Sequence, residues 1–128
     1  MFASQAAASP SVLIVEDSWL LATGMSERLA QAGCAAESAP SAAAAARRLK
    51  RGAPDLILLD IDLGAGLDGV ALARSLPPEI RRRILFVTAH AADRAAEANA
   101  LGCCGVIDKP LRDADLVTAV ADALWRLA

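Results

Sequence analysis

Acidic residues stand where three apolar runs give out. Asp60 follows Leu56-Ile57-Leu58-Leu59 and precedes the glycine-rich stretch Gly64-Ala65-Gly66-Leu67-Asp68-Gly69. Glu16-Asp17 close Val12-Leu13-Ile14-Val15, and Asp108-Lys109-Pro110 close Val106-Ile107. Short apolar runs bounded by turn signals read as buried strands, and the carboxyl edge of an open parallel sheet is where ligands bind. Side by side, these strand ends bring together several carboxylates and one ammonium. Their mutual repulsion is best explained by a hard divalent cation held among oxygen donors.

Alternating strands and helices with short connections would position these residues. Strands are expected at Val12 to Val15, Cys34 to Glu37, Leu56 to Leu59, Ile84 to Thr88 and Cys104 to Ile107. The first helix is expected from the N-cap Ser18 to Ala32, with Leu21, Met25 and Leu29 on one face and Gly33 ending it. Ser41 caps a second helix, broken at Gly52-Ala53-Pro54. The third runs from about Asp68 to Leu76 before Pro77-Pro78. An Ala-rich fourth spans Ala92 to Leu101, with Leu101 its one large apolar anchor, and a fifth spans Asp113 to Leu127 with Leu116, Val120 and Leu124 aligned. Five strands alternating with five helices imply right-handed crossovers and a parallel sheet covered on both faces.

Composition narrows the function. A chain of 128 residues holds one domain, here residues 11–128, after a tail of residues 1–10 expected to be disordered. Aromatics make up 3% with no Tyr and the net charge is -2, which leaves neither stacking platforms nor a basic footprint for nucleic acid. No run approaches the length of a membrane span, and the start lacks a signal-peptide core, so the expected location is the cytoplasm with no membrane partner. Cys103 and Cys104 are adjacent, which disfavours a mutual disulfide, and one His without a CxxC argues against zinc. The cysteines read as small packing thiols. Arg81-Arg82-Arg83 reads as a solvated loop far from the acidic edge.

VLIVEDS, LILLDIDLG, DGVALA, LFVTAH and DKPL, in this order and spacing, resemble the receiver domains of two-component response regulators over about Ser11 to Leu127. The resemblance implies a flavodoxin-like (βα)5 fold, a doubly wound five-stranded parallel sheet of order 2-1-3-4-5. It implies Asp60 as phosphoacceptor, with Thr88 and Lys109 beside it, in a phosphoprotein that signals rather than an enzyme with turnover.

The side chains suit that chemistry. A carboxylate attacks phosphorus only if the charges on both are neutralised, which Mg2+ on Glu16, Asp17, Asp60 and the backbone carbonyl of Asp62 would do, Glu16 through water. Lys109 supplies a second positive charge and Thr88 a hydroxyl donor. By the same resemblance Asp62 and His90 flank the path of the water that hydrolyses the acyl phosphate. Two positions depart from the family pattern. Gly64 stands where proline is common, in a loop one residue longer than usual. Val106, whose χ1 is stiff, stands where an aromatic side chain commonly swings.

The expectation is therefore a stand-alone receiver. It takes phosphoryl from a sensor histidine kinase or a histidine phosphotransfer protein, then passes it on or docks a downstream protein. The docking face would comprise the fourth helix, fifth strand and fifth helix, with room for a homodimer. Three alternatives are a receiver fragment of a hybrid kinase, a phosphorylation-independent docking module, and a haloacid dehalogenase-like phosphohydrolase. The last is suggested by Leu58-Leu59-Asp60-Ile61-Asp62 with Asp62 as general acid.

Overall fold

The structure is a computed structural model that describes residues 9–64, 68–109 and 112–128. Most of the expected tail, the loop residues Ala65, Gly66 and Leu67, and Pro110 and Leu111 lie outside the described residues. Among the described residues the chain runs β1 (Ser11–Val15), α1 (Trp19–Gln31), β2 (Ala35–Ala39), α2 (Ala42–Leu49), β3 (Leu56–Asp60), α3 (Gly69–Ser75), α4 (Pro78–Arg81), β4 (Ile84–Thr88), α5 (Ala91–Ala100), β5 (Gly105–Asp108) and α6 (Asp113–Leu127). The five strands form one sheet of order β2-β1-β3-β4-β5, all neighbours parallel, as expected.

Strand alternation builds two cores. Leu13, Val15, Ile57, Leu59, Ile84 and Phe86 face the side covered by α2 to α5. Val12, Ile14, Leu56, Leu58, Leu85 and Val87 face the side covered by α1 and α6. Because successive side chains point to opposite faces, a central strand covered on both sides must be apolar throughout, and β3 and β4 are buried at every position. The edge strand β2, built of alanine, serine and glutamate, is mostly exposed.

The helix ends follow their side chains. Ser18 accepts from the Leu21 N–H, Ser41 from Ala44 and Asp68 from Ala71, each satisfying a first-turn amide that lacks an intrahelical partner. Gly33 takes φ 103 just past α1, the left-handed geometry a helix stop requires.

Four expectations are corrected. Pro77-Pro78 does not lead straight to β4. Pro78 opens the short helix α4, its fixed φ and missing N–H being suited to a first helical position. Arg81 closes that helix, and Arg83 donates to the Pro54 carbonyl at 3.1 Å, so only Arg82 of the arginine run is exposed. In α1 the buried stripe is Ala22 and Leu29 with half-buried Met25; Leu21 is 50% exposed, because at one residue before Ala22 it is rotated off that stripe. In α6 the stripe is Leu116, Val117, Val120 and Ala123, with Leu124 half-buried at its border.

Candidate functional site

The carboxyl ends of β1, β3, β4 and β5 converge on one edge. Asp60 ends β3 and is 4% exposed, Glu16 follows β1 and is also 4% exposed, and Thr88 ends β4 at 1%. Two carboxylates at that depth need compensation. Lys109 provides it, its Nζ donating to Asp60 Oδ2 at 2.9 Å and to Glu16 Oε1 at 3.1 Å. The lysine is itself anchored, since its N–H donates to the Thr88 carbonyl at 2.8 Å. Burial opposes the charge on Lys109. The hydrogen bonds and negative charges of Asp60 and Glu16 outweigh it and hold the ammonium above the ordinary lysine range.

The remaining oxygens are held by backbone. Asp60 Oδ1 accepts from the Asp62 N–H at 3.0 Å, and Glu16 Oε2 from the Ser18 N–H at 3.1 Å. Each Asp60 oxygen thus has one partner and keeps acceptor capacity for another. Thr88 Oγ1 accepts from the His90 N–H at 3.2 Å. With the hydroxyl oxygen held as an acceptor, its proton remains available to an incoming oxygen. The side chains of Asp62 and His90 are exposed at the rim.

Glu16, Asp17 and Asp60 each offer a carboxylate oxygen, all within 4.8 Å of one another. Such an all-oxygen, anionic set fits a hard divalent cation. Gly64 takes φ 72, and a Cβ there would stand 3.1 Å from Asp17 Oδ2. The positive φ favours glycine at the position where proline is common, and a Cβ there would only crowd the end of the exposed Asp17 side chain.

Of the strand-end residues singled out in the sequence, Glu16, Asp17, Asp60, Thr88 and Lys109 are brought together. Asp108 is not part of the cation-capable cluster. Its Oδ1 accepts from the Ala91 N–H at 3.0 Å and caps α5, whose own N-cap His90 makes no side-chain bond. A carboxylate at the positive end of a helix is satisfied without a metal.

Gly69 was read only as part of the helix-opening motif, yet it sets how closely α3 approaches the site. Its N–H donates to the Ile61 carbonyl at 3.2 Å. A Cβ on it would lie 2.5 Å from the Asp60 carbonyl oxygen and 3.0 Å from Ile61 Cα. Its φ is not positive, so conformational freedom does not explain it, and space does. The Asp-Gly pair at the start of a helix was the available sequence signal.

The cysteines play no part at this edge. Burial pushes the Cys34 and Cys103 thiols up to about 11, which leaves them protonated. No helix is long and apolar enough to cross a membrane among the described residues.

Residues 12–121 match the family described as the response regulator receiver domain. A protein-glutamate methylesterase/protein-glutamine glutaminase from Cereibacter sphaeroides is 33% identical over 117 residues, which cover 87% of this chain and 31% of that protein. The receiver domain of NtrX from Brucella abortus superposes with a TM-score of 0.79 at 27% identity, over 89% of this chain and 98% of that one. A response regulator from Chloroflexus aurantiacus does so with 0.82 at 26%, over 92% and 99%. Against the longer NtrX chain the match covers 93% of this chain and 28% of that one, so the chain spans less than a third of the longer relatives it matches.

Proposed function

The chain belongs to the response regulator receiver family, and from that premise we propose that Asp60 is its phosphoacceptor, charged by a sensor histidine kinase or a histidine phosphotransfer protein. The observation that carries this reading is the state of the Asp60 carboxylate. It is 4% exposed, with Lys109 at 2.9 Å on one oxygen and the Asp62 N–H at 3.0 Å on the other. Nothing in a structural role requires a carboxylate to be buried, paired and adjacent to two more acids.

An oxygen of Asp60 attacks the phosphorus of a phosphohistidine as the P–N bond breaks. The electron pair leaves on the imidazole nitrogen, which takes up a proton from solvent, and the product is an acyl phosphate. Glu16, Asp17, Asp60 and the Asp62 carbonyl would hold Mg2+, which when bound neutralises the phosphoryl charge. Lys109 stays with the oxygens of the transferred group, and the Thr88 hydroxyl donates to one of them. Asp62 and His90, exposed at the rim, stand where hydrolytic water enters and so bear on signal lifetime.

The altered state would be passed on by phosphotransfer or displayed to a downstream protein, or to a second copy of the chain, on the face of α5, β5 and α6. Family membership sets aside the phosphohydrolase reading. The experiment is incubation with acetyl phosphate and Mg2+ followed by intact mass. One phosphate-sized gain is expected for the wild type and none for Asp60→Asn or in EDTA. Persistent labelling of Asp60→Asn would overturn the assignment.

A further inference from the structure

At the opposite edge of the sheet from β5, a groove of about 400 Å³ lies between β2 and α2. Its wall is basic, formed by Arg47, Arg48 and Arg51 over Glu37, Ser38 and Pro40. Arg48 is already used: its Nε pairs with Glu37 and its Nη1 donates to the Gly52 carbonyl at 2.9 Å. Arg47 and Arg51 are exposed and make no ion pair among the described residues. The groove therefore carries two uncompensated positive charges in a chain whose net charge is -2.

The floor of the groove is an open strand edge. The Ala35 N–H donates to the Pro10 carbonyl and the Ala39 carbonyl accepts from the Glu16 N–H. Those two residues thus turn their polar groups toward β1 and its flanks. By alternation along a parallel strand, Ala36 and Ser38 turn theirs to the unpaired side. Sheet edges are usually guarded by lysine, proline or bulges. This one offers alanine and serine, and its one charged residue is tied down by Arg48.

We propose that the β2 edge is a docking site for an extended acidic peptide of a partner protein, which adds as a sixth strand and places alternate carboxylates on Arg47 and Arg51. Residues i and i+2 of a strand share a face about 6.6 Å apart, and the two arginines line the same groove, Arg47 in the last turn of α2 and Arg51 in the turn just past it. Main-chain bonds to Ala36 and Ser38 supply affinity and the arginines select charge. A second copy of this chain is a poor occupant, because two-fold pairing of β2 edges would oppose the two arginine rows. The site is separate from Asp60 and works without phosphoryl transfer.

The test uses the whole chain and a labelled six-residue peptide of alternating valine and glutamate, with a valine and lysine peptide as control. Amide shifts in a 15N spectrum map the site, and anisotropy gives the affinity. The expected result is binding of the acidic peptide only, with shifts centred on Ala36 and Ser38. Affinity should fall at least about tenfold when salt rises from about 0.05 to 0.5 M. Arg47→Glu with Arg51→Glu should lose binding about tenfold or more, and Arg47→Gln with Arg51→Gln should lose part of it. Both arginines are exposed, and a retained amide spectrum checks the fold of each double variant. Equal binding of the two peptides, or shifts elsewhere, overturns the proposal. So does tripolyphosphate shifting these amides while the acidic peptide does not, or concentration-dependent dimerisation through β2.

Discussion

The first turn of α3 rests on the main chain of Asp60, so closely that a single methyl group on Gly69 would stand 2.5 Å from the Asp60 carbonyl oxygen. The atoms in the way are backbone, which has no rotamer to change. Gly69→Ala is therefore expected to push α3 or the end of β3 aside. Overpacking of this kind costs about 1–3 kcal/mol, and the displaced residue is the proposed phosphoacceptor. Thermal unfolding should show a lower midpoint and acetyl phosphate labelling should slow. An unchanged midpoint with unchanged labelling would mean the contact relaxes without moving Asp60.

Lys109 holds Asp60 Oδ2 and Glu16 Oε1, so it would compete with a cation bound at this cluster. Lys109→Gln should leave two buried carboxylates without their counter-charge, lowering metal-free stability by about 1–3 kcal/mol, below the fully buried case because the lysine side chain is 28% exposed. The same change removes the competitor, so Mg2+ should bind more tightly while phosphoryl transfer falls. Magnesium titration followed by fluorescence and intact-mass labelling separates the two. Weaker Mg2+ binding in the variant would contradict the competition.

The raised pKa of Lys109 also fixes a pH dependence. A group whose folded value lies above its unfolded one contributes stability that is complete below the unfolded value, about 10.5 for lysine, and is lost as pH rises through the folded value. Denaturant midpoints of the wild type should therefore fall above about pH 10.5 more steeply than those of Lys109→Gln. Parallel curves would show that the pair adds nothing to folding.

Magnesium should stabilise the fold by mass action. At about tenfold excess over Kd the gain is about 1.4 kcal/mol, or about 4–8 °C for a domain near this size. Asp17 is exposed and, among the described residues, makes no ion pair with Lys109, so Asp17→Asn should remove most of that shift and leave metal-free stability nearly unchanged. A full shift in Asp17→Asn would exclude it as a ligand.

The alternation of strands and helices and the convergence of Glu16, Asp17, Asp60 and Lys109 were legible because those strand ends are marked in the sequence by an abrupt change from apolar to charged, whereas the sheet order and the place of Thr88 came from the resemblance to the receiver family. What was not legible depends on three-dimensional neighbours. Asp108 looks like another strand-end acid, and only the position of the Ala91 amide assigns it to α5. Leu21 fits a helical stripe on paper, but the centre of the buried face is set by how α1 lies on the sheet. The short α4 follows two prolines that read as a break, since nothing local says that Pro78 begins a turn of helix.

The helix α5 should be the loosest of the long elements. Ala98 is its one buried residue, with half-buried Leu101 just beyond, whereas α6 buries Leu116, Val117, Val120 and Ala123. At about 25 cal/mol per Å² the alanines hold little, so amide exchange in α5 is expected to be at least about tenfold faster than in α6. Equal protection would contradict this.

A cleft of about 510 Å³ separates α5 from β5, lined by Ala91, Ala95, Ala98, Gly105 and Val106 among others. It exists because both walls carry small side chains and because valine stands at the position where the family commonly has an aromatic ring. Val106→Tyr should fill part of it. The added apolar area is expected to raise stability by about 1 kcal/mol and to slow exchange in α5 toward that of α6. Thermal unfolding and hydrogen exchange on the same variant decide the matter together. A higher midpoint with slower α5 exchange means the cleft is the reason α5 is loose. A lower midpoint means that the ring cannot enter and that the looseness of α5 comes from its alanine sequence alone.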